Sequence, residues 1–141
     1  MTTWLADKSA LVRLASGPDS RTWSSRAQRG LVRVATATLL EIGFSARSAD
    51  DWVALIEEAP VANLPVENST PKAEARALEV QRLLAGAGQH RAPSVPDLLI
   101  AAIAETAGLT VLHVDRDFEL IAAITNQPVE PMRLTEVAPK T

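Results

Sequence analysis

The sequence predicts an α/β fold in which helices lie on both faces of a central, mostly parallel sheet of four to five strands. Short apolar segments that are typical of strands alternate with helical segments along the chain. One helical segment, residues 94–107, is apolar on all sides, which is typical of a buried helix. With 141 residues, 47% of them apolar, the chain is long enough for one domain with a substantial core.

Five segments are predicted as strands. The first is a short apolar run that ends at Asp7, and the third is weak because it contains Pro65, which favours a position near the edge of a sheet. The fourth, with the sequence TVLHV, is followed by Asp115. The predicted strands are residues 4–6, 31–35, 61–66, 110–114 and 128–132.

Seven segments between and after these strands are predicted as helices. Glycine and proline set several boundaries: Gly17-Pro18 ends the first helix, Pro71 lies in the first turn of the fifth, and Gly108 caps the sixth. We expect a single domain over residues 1–141, with about 134–141 as a frayed tail. The predicted helices are residues 9–15, 20–28, 36–47, 50–58, 70–85, 94–107 and 118–124.

The composition excludes several classes of site. The absence of cysteine excludes disulfides, thiolate zinc sites and cysteine nucleophiles, and the two histidines lack the spacing of paired metal ligands. Any metal would therefore be held by oxygen, which favours Mg²⁺ or Mn²⁺. No apolar stretch is long enough to span a membrane, and a charge at Asp7 comes too early for a signal peptide, so a soluble cytoplasmic protein is expected.

The net charge of −3 is unevenly distributed. Residues 1–47 contain seven Lys and Arg against three Asp and Glu, whereas residues 48–141 contain seven against fourteen. A nucleic acid would therefore meet the first third of the chain more readily. The alternative is that these arginines only solvate helix faces; they are Arg13, Arg21, Arg26, Arg29 and Arg33.

Four acidic residues occupy similar positions relative to the predicted elements. Asp7 and Asp115 each end a strand, Asp97 lies in the first turn of a helix, and Glu41 lies in or near the first turn of another. In a parallel α/β sheet the helix N-termini gather at the carboxyl edge of the strands, where ligands bind. Four carboxylates that converge there would repel one another, and a divalent cation would relieve the repulsion.

Each acid taken alone has a structural explanation. Thr38 to Glu41 fits a capping box, and Ser94 to Asp97 fits one with Asp in place of Glu. Asp7 and Asp115 could serve as N-caps, because acids stabilise helix N-termini by about 0.3–1 kcal/mol. Only their convergence would make them a site.

The sequence resembles the VapC-type toxins of the PIN-domain ribonuclease family. The resemblance covers nearly the whole chain, and its late segment HVDRDFELIA is rather specific. Lys8 departs from the Thr that many relatives carry. The residues that carry the resemblance are LADKSALVRL at 5–14, TATLLEIGFSAR at 36–47, VPDLLIAAIAE at 95–105 and VLHVDRDFELIA at 111–122.

The resemblance implies a PIN-like three-layer α/β/α fold and an acidic catalytic quartet. Asp7 and Asp97 would be the chief metal ligands, and Glu41 and Asp115 would complete the metal shell or orient the attacking water. Asp117 matches an accessory acid and is a possible fifth ligand.

Two further residues are candidates for substrate binding. Ser9 matches a hydroxyl residue near the first Asp and could bind a phosphate oxygen, although it could equally be an ordinary first-turn hydroxyl. Arg116 could contact an RNA phosphate, although solvation at the surface is the simpler explanation.

The resemblance also implies an activity and partners. The family uses Mg²⁺ or Mn²⁺ to cleave structured RNA such as tRNA or rRNA loops. Its members act as toxins of type II toxin–antitoxin systems, are held inactive by a VapB-type antitoxin, and are usually homodimers. Trp23, on a polar helix, is the best aromatic candidate for a dimer or antitoxin contact.

Three other functions remain open from the sequence. One is a PIN-domain RNA-processing nuclease without an antitoxin, and another is a non-catalytic α/β binding domain. The third is a phosphoacceptor signalling domain, which would need two adjacent acids after the first strand. Here Asp7 is followed by Lys8, which argues against it.

Overall fold

The computed structural model describes residues 1–135, in which five parallel strands form one sheet. The strand order is β3-β2-β1-β4-β5, and all four pairings are parallel, as the predicted fold class requires. The part of the predicted tail at 136–141 lies outside the described residues. The strands are β1 (Trp4–Ala6), β2 (Val32–Ala35), β3 (Val66–Glu67), β4 (Thr110–His113) and β5 (Val129–Pro131).

Seven α-helices connect and follow these strands, and a short 3₁₀ helix, Val61–Asn63, precedes β3. No helix within residues 1–135 is long and apolar enough to cross a membrane. The helices are α1 (Lys8–Leu11), α2 (Ser20–Gln28), α3 (Thr36–Phe44), α4 (Ala49–Ile56), α5 (Pro71–Gly86), α6 (Val95–Ala107) and α7 (Asp117–Thr125).

The central strands are buried on both faces, and the alternation of side chains divides the core into two clusters. Leu5 of β1 packs in a cluster with apolar residues of α5, α6 and α7. Trp4 and Ala6, on the other face of the same strand, pack with residues of α1 and α2. Helices therefore cover both faces, and the three-layer prediction is confirmed.

Two predicted elements take a different conformation over part of their length. The first helix ends at Leu11, and residues 12–16 continue as turns with i+3 hydrogen bonds such as Leu14 N–H to Leu11 C=O. The predicted strand 61–66 is largely the 3₁₀ helix, and only Val66–Glu67 pairs with β2. Its edge position is confirmed: Pro65, which has no N–H, accepts a hydrogen bond from Val34 through its carbonyl.

Trp23 is not a surface contact. Its side chain is 4% exposed and packs edge-on against Trp4, with ring centroids 5.1 Å apart. The Arg26 guanidinium lies 4.5 Å from the centroids of both rings. The prediction that Trp23 mediates a dimer or antitoxin contact is therefore wrong, because its aromatic surface is already used inside the chain.

Candidate metal centre

The candidate site lies beside β1, where the order in which successive strands join the sheet reverses. From β1 the chain moves to β2 on one side, whereas β4 pairs with β1 on the other side, with Ala6 opposite Leu112. In open parallel sheets, the crevice outside the carboxyl ends of two such strands is where ligands bind. A cleft of about 550 Å³ opens here, and its lining includes all five predicted acids: Asp7, Glu41, Asp97, Asp115 and Asp117.

Asp7 is held rigidly at the end of β1. Its carboxylate accepts hydrogen bonds from the Ala10 N–H at 2.9 Å and from the Ser9 hydroxyl at 2.7 and 2.8 Å, and it caps α1. The Ser9 oxygen also accepts the Val114 N–H at 3.2 Å, which ties this corner to the end of β4. Asp7 is therefore a helix cap and a cleft residue at once.

Asp97 lies in the first turn of α6 and is 9% exposed. The Ser94 hydroxyl accepts its backbone N–H at 3.2 Å, so one half of the predicted capping box is present. This bond uses the backbone of Asp97 rather than its carboxylate. The side chain therefore remains available to the cleft.

Asp115 and Asp117 form a short turn between β4 and α7. Asp115 accepts the backbone N–H of Asp117 at 3.0 Å, although α7 itself begins at Asp117 with Arg116 at the cap position. Asp97, Asp115 and Asp117 each offer a carboxylate oxygen, and these three oxygens lie within 4.8 Å of one another. Carboxylate oxygens at this spacing can share one divalent cation.

Glu41 reaches the cleft from α3, close to the start of the helix. Helix α3 begins at Thr36, directly after β2, with Ala35 at the cap position, so Glu41 lies in the second turn. Thr38 is buried within the helix, and its hydroxyl has no hydrogen-bond partner within the described part of the chain. The predicted capping box from Thr38 to Glu41 is therefore wrong.

Residues 5–124 match the family described as PIN domain. The chain belongs to the PIN-domain family. It is 57% identical to Ribonuclease VapC2 of Mycobacterium tuberculosis over 96% of this chain and 95% of that protein. It is also 42% identical to Ribonuclease VapC51 of the same organism over 90% of each chain. The resemblance to VapC-type PIN domains is therefore confirmed.

Solved structures show the same fold. VapBC2 from Rickettsia felis, crystallised with a DNA fragment from its promoter, superposes with a TM-score of 0.76 at 17% identity, over 93% of this PIN domain and 99% of that chain. DNA-bound VapBC from Salmonella typhimurium gives 0.75 at 19% identity, over 93% and 98%. At these identities the likeness concerns the fold.

Two acids of the close group in this PIN domain have pKa values above the ordinary value for aspartate. Burial, and then repulsion by Asp115, raises the pKa of Asp97 to about 6. Burial also raises the pKa of Asp117, and the neighbouring Asp115 charge adds to the effect. Both groups would ionise more readily beside a cation.

The pKa values of Asp7 and Glu41 are raised as well. Burial raises the pKa of Asp7, although its hydrogen bonds from Ala10 and Ser9 oppose the change. Burial raises the pKa of Glu41 as well, and the nearby Lys8 charge opposes it. A site that consists of carboxylates, several of them destabilised as anions, suits a hard divalent cation such as Mg²⁺ or Mn²⁺.

The five predicted acids are not equally close to one another in the structure. Asp97 and Asp115 stand together as predicted, but the third member of the close group is Asp117, which the sequence places only as an accessory. Among residues 1–135, Asp7 and Glu41 line the same cleft without joining that close group.

Three basic side chains also line the cleft: Lys8, Arg13 and Arg91. Arg91 lies in the loop before α6, where no motif marks it. The sequence indicates Arg13 only as part of the basic first third of the chain. Arg116, predicted as a phosphate contact, is exposed and is not among the residues that line the cleft.

His113 lies beneath this corner rather than within it. It is 1% exposed, and its Nε2 lies 3.1 Å from a carboxylate oxygen of Glu119. Its Nδ1 has no hydrogen-bond partner within residues 1–135. His113 is therefore a buried histidine with a polar partner for only one of its two ring nitrogens among these residues.

Proposed function

We propose that this PIN domain is a Mg²⁺-dependent endoribonuclease that acts as the toxin of a type II toxin–antitoxin system. The observation that carries the proposal is the close group of Asp97, Asp115 and Asp117 in a cleft at the carboxyl edge of a PIN-domain sheet. Relatives named as ribonucleases, and similar in sequence along nearly the whole chain, support the activity.

Asp97, Asp115 and Asp117 would hold the cation, and Mn²⁺ could replace Mg²⁺. When bound, the cation would activate water for attack on the phosphodiester and stabilise the charge that develops there. Asp7 would contribute a further carboxylate to the metal site from the wall of the cleft, where hydrogen bonds from Ser9 and Ala10 fix its position. Glu41 would help to orient the attacking water.

Ser9 has a different part in this proposal than its sequence position suggests. Its hydroxyl proton points to the Asp7 carboxylate, and its oxygen accepts the Val114 N–H. Ser9 would therefore position Asp7 in the absence of substrate and could bind phosphate only by giving up the bond to Asp7. Arg116, exposed beside Asp115, would contact RNA outside the cleft.

The proposed substrate is structured RNA such as a tRNA or rRNA loop, and the proposed partners are a VapB-type antitoxin and a second copy of the chain. An exposed apolar surface beside the cleft supports a protein partner: Leu40 is 70%, Phe44 93% and Val95 65% exposed. Light scattering of the purified chain should give the mass of a dimer, and Phe44→Ser should lower it. A monomeric wild-type protein would contradict the dimer.

Cleavage of RNA by the purified chain tests the activity. We expect cleavage with Mg²⁺, none with EDTA, and none by Asp97→Asn under either condition. Asp50→Asn is the matched control, because Asp50 is also an acid in the first turn of a helix but is exposed and outside the cleft. Equal cleavage by wild type and Asp97→Asn, or cleavage that survives EDTA, would overturn the proposal.

A further inference from the structure

The cleft is lined by two arginine side chains whose positive charges its carboxylates do not neutralise. Three arginines outside the cleft form ion pairs with carboxylates: Arg33 with Glu67, Arg76 with Glu105, and Arg133 with Asp19. Arg13 and Arg91 line a cleft that contains five acids, yet neither forms an ion pair within residues 1–135. Their charges are therefore available to a ligand that enters the cleft.

The position of Arg13 is fixed by a hydrogen bond to the preceding helix, α1. One terminal nitrogen of its guanidinium donates to the Ser9 carbonyl at 2.6 Å, which holds the group beside the Asp7 corner. A guanidinium carries five N–H donors, so most of them stay free after this bond is made. The side chain is exposed, and a phosphate could reach it without displacing another protein group.

Arg91 approaches the same cleft from another segment. It lies in the loop between α5 and α6, ahead of Ser94 and Asp97, and it is exposed. Arg13 follows α1, so the two guanidinium groups belong to separate elements, both next to the acids. Lys8 also lines the cleft, but its charge already acts on Glu41.

A polyanionic strand needs such cations at this site. If the proposed nuclease activity is correct, the scissile phosphodiester lies at the acidic group, and the neighbouring phosphates must pass the same carboxylates. Those carboxylates repel phosphate unless positive charge lies nearby. Guanidinium groups suit the task because they bind phosphate oxygens with two parallel hydrogen bonds.

We propose that Arg13 and Arg91 form a phosphate-binding clamp that holds the RNA backbone on the two sides of the scissile phosphodiester. This inference rests on the proposed nuclease function and adds the residues that hold its substrate. The clamp contacts backbone, so it contributes affinity without reading sequence.

The first test measures steady-state cleavage of RNA in Mg²⁺ by Arg13→Ala, Arg91→Ala and the double variant. Each single change should raise KM about 2- to 5-fold, as expected for an exposed charge contact, with a much smaller change in kcat. Arg13→Lys and Arg91→Lys should recover part of the affinity. Arg82→Ala, at an exposed arginine of α5 outside the cleft, is the matched control.

The second test separates this inference from the nuclease proposal. A fluorescent single-stranded RNA is titrated with Asp97→Asn protein, with and without the arginine changes, at several salt concentrations. The slope of log affinity against log salt should become shallower by about 0.7 for each phosphate that is no longer neutralised. If wild-type protein cleaves no RNA but the arginine changes still reduce binding and slope, the clamp stands and the nuclease proposal fails.

Three results would overturn the clamp. One is KM values, affinities and slopes of the arginine variants that equal those of Arg82→Ala. Another is a lack of RNA binding by Asp97→Asn protein, which retains both arginines. The third is unchanged RNA binding together with weaker binding of a polyglutamate peptide, which would assign the arginines to an acidic protein partner instead.

Discussion

The two ends of α6 each carry a carboxylate, and the two carboxylates have neighbours of opposite charge. Glu105, near the C-terminal end, is bound by the Arg76 guanidinium, whose terminal nitrogen lies 3.1 Å from it, and Glu105 helps to raise the pKa of Arg76. Asp97, in the first turn, faces Asp115 and Asp117, and its pKa is raised to about 6. The Glu105 carboxylate is neutralised within the chain, whereas the Asp97 carboxylate has other carboxylates as its neighbours.

The surroundings of these two carboxylates on the same helix differ. Glu105 has a partner in α5, so its charge contributes to the packing of two helices. Asp97 sits among like charges, where burial and repulsion cost stability that packing must offset. Perturbed carboxylates of this kind are typical of functional sites, and metal binding is the function that fits this set of oxygen donors.

The largest expected effect is on activity. Asp115→Asn and Asp117→Asn should each lower kcat/KM for RNA cleavage about 100-fold or more, because each removes a charge that would hold the cation. Glu105→Gln should leave the rate within about 2-fold, since it lies at the other end of α6. The rates are measured at saturating Mg²⁺ on the same RNA.

Asp117 is the sharper of the two substitutions. The sequence places it as an accessory acid, whereas the structure places it in the close group. A variant Asp117→Asn with wild-type activity would show that Asp117 is not part of the site. Asp7 and Glu41 would then be the better candidates for the further metal ligands.

The next effect concerns stability without metal. The pKa of Asp97 is raised from about 3.8 in the unfolded chain to about 6 in the fold, so the folded state holds its proton more tightly. Stability therefore falls as pH rises from about 4 to above 6, and the full penalty is present at pH 8. Asp97→Asn should remove it and stabilise the metal-free protein at pH 8 by on the order of 1–3 kcal/mol.

Urea unfolding in EDTA at pH 8 and pH 4.5 measures this difference. The advantage of Asp97→Asn should shrink toward pH 4.5, where the folded wild-type protein is itself protonated at Asp97. A variant less stable than wild type at pH 8 would mean that the Asp97 carboxylate is stabilised by the fold.

The smallest effect has the opposite sign. Glu105→Gln should destabilise the protein by about 1 kcal/mol at neutral pH, because it leaves the partly buried Arg76 with a weaker partner. The same urea titration measures this destabilisation. Stabilisation by this change would show that the pairing with Arg76 adds nothing, and the contrast between the two ends of α6 would lose its basis.

Much of the architecture could be predicted from the sequence because its signals are local. The apolar strands, Pro71 at the start of α5 and Gly108 at the end of α6 act through neighbouring residues. The placement of Ser94 and Asp97 at the start of α6 is predictable for the same reason. The parallel topology then brings the acids to one edge of the sheet.

Features without a local signal are mispredicted or missed. Helix α3 starts directly from β2 with Ala35 at its cap, so the match of Thr38 and Glu41 to a capping box is accidental. The contribution of Asp117 depends on how sharply the chain turns after β4. Arg91 lies in an irregular loop, and only the fold places it in the lining of the cleft.

The central claim is that the close group of carboxylates is a divalent-cation site. Calorimetric titration of Mg²⁺ into the purified chain at pH 7.5 tests it most directly, with Asp50→Asn and Glu105→Gln as controls. We predict saturable binding by wild type and both controls, and at least a tenfold loss of affinity in Asp97→Asn. Absence of saturable Mg²⁺ and Mn²⁺ binding by wild type, or an unchanged affinity in Asp97→Asn, would contradict the account.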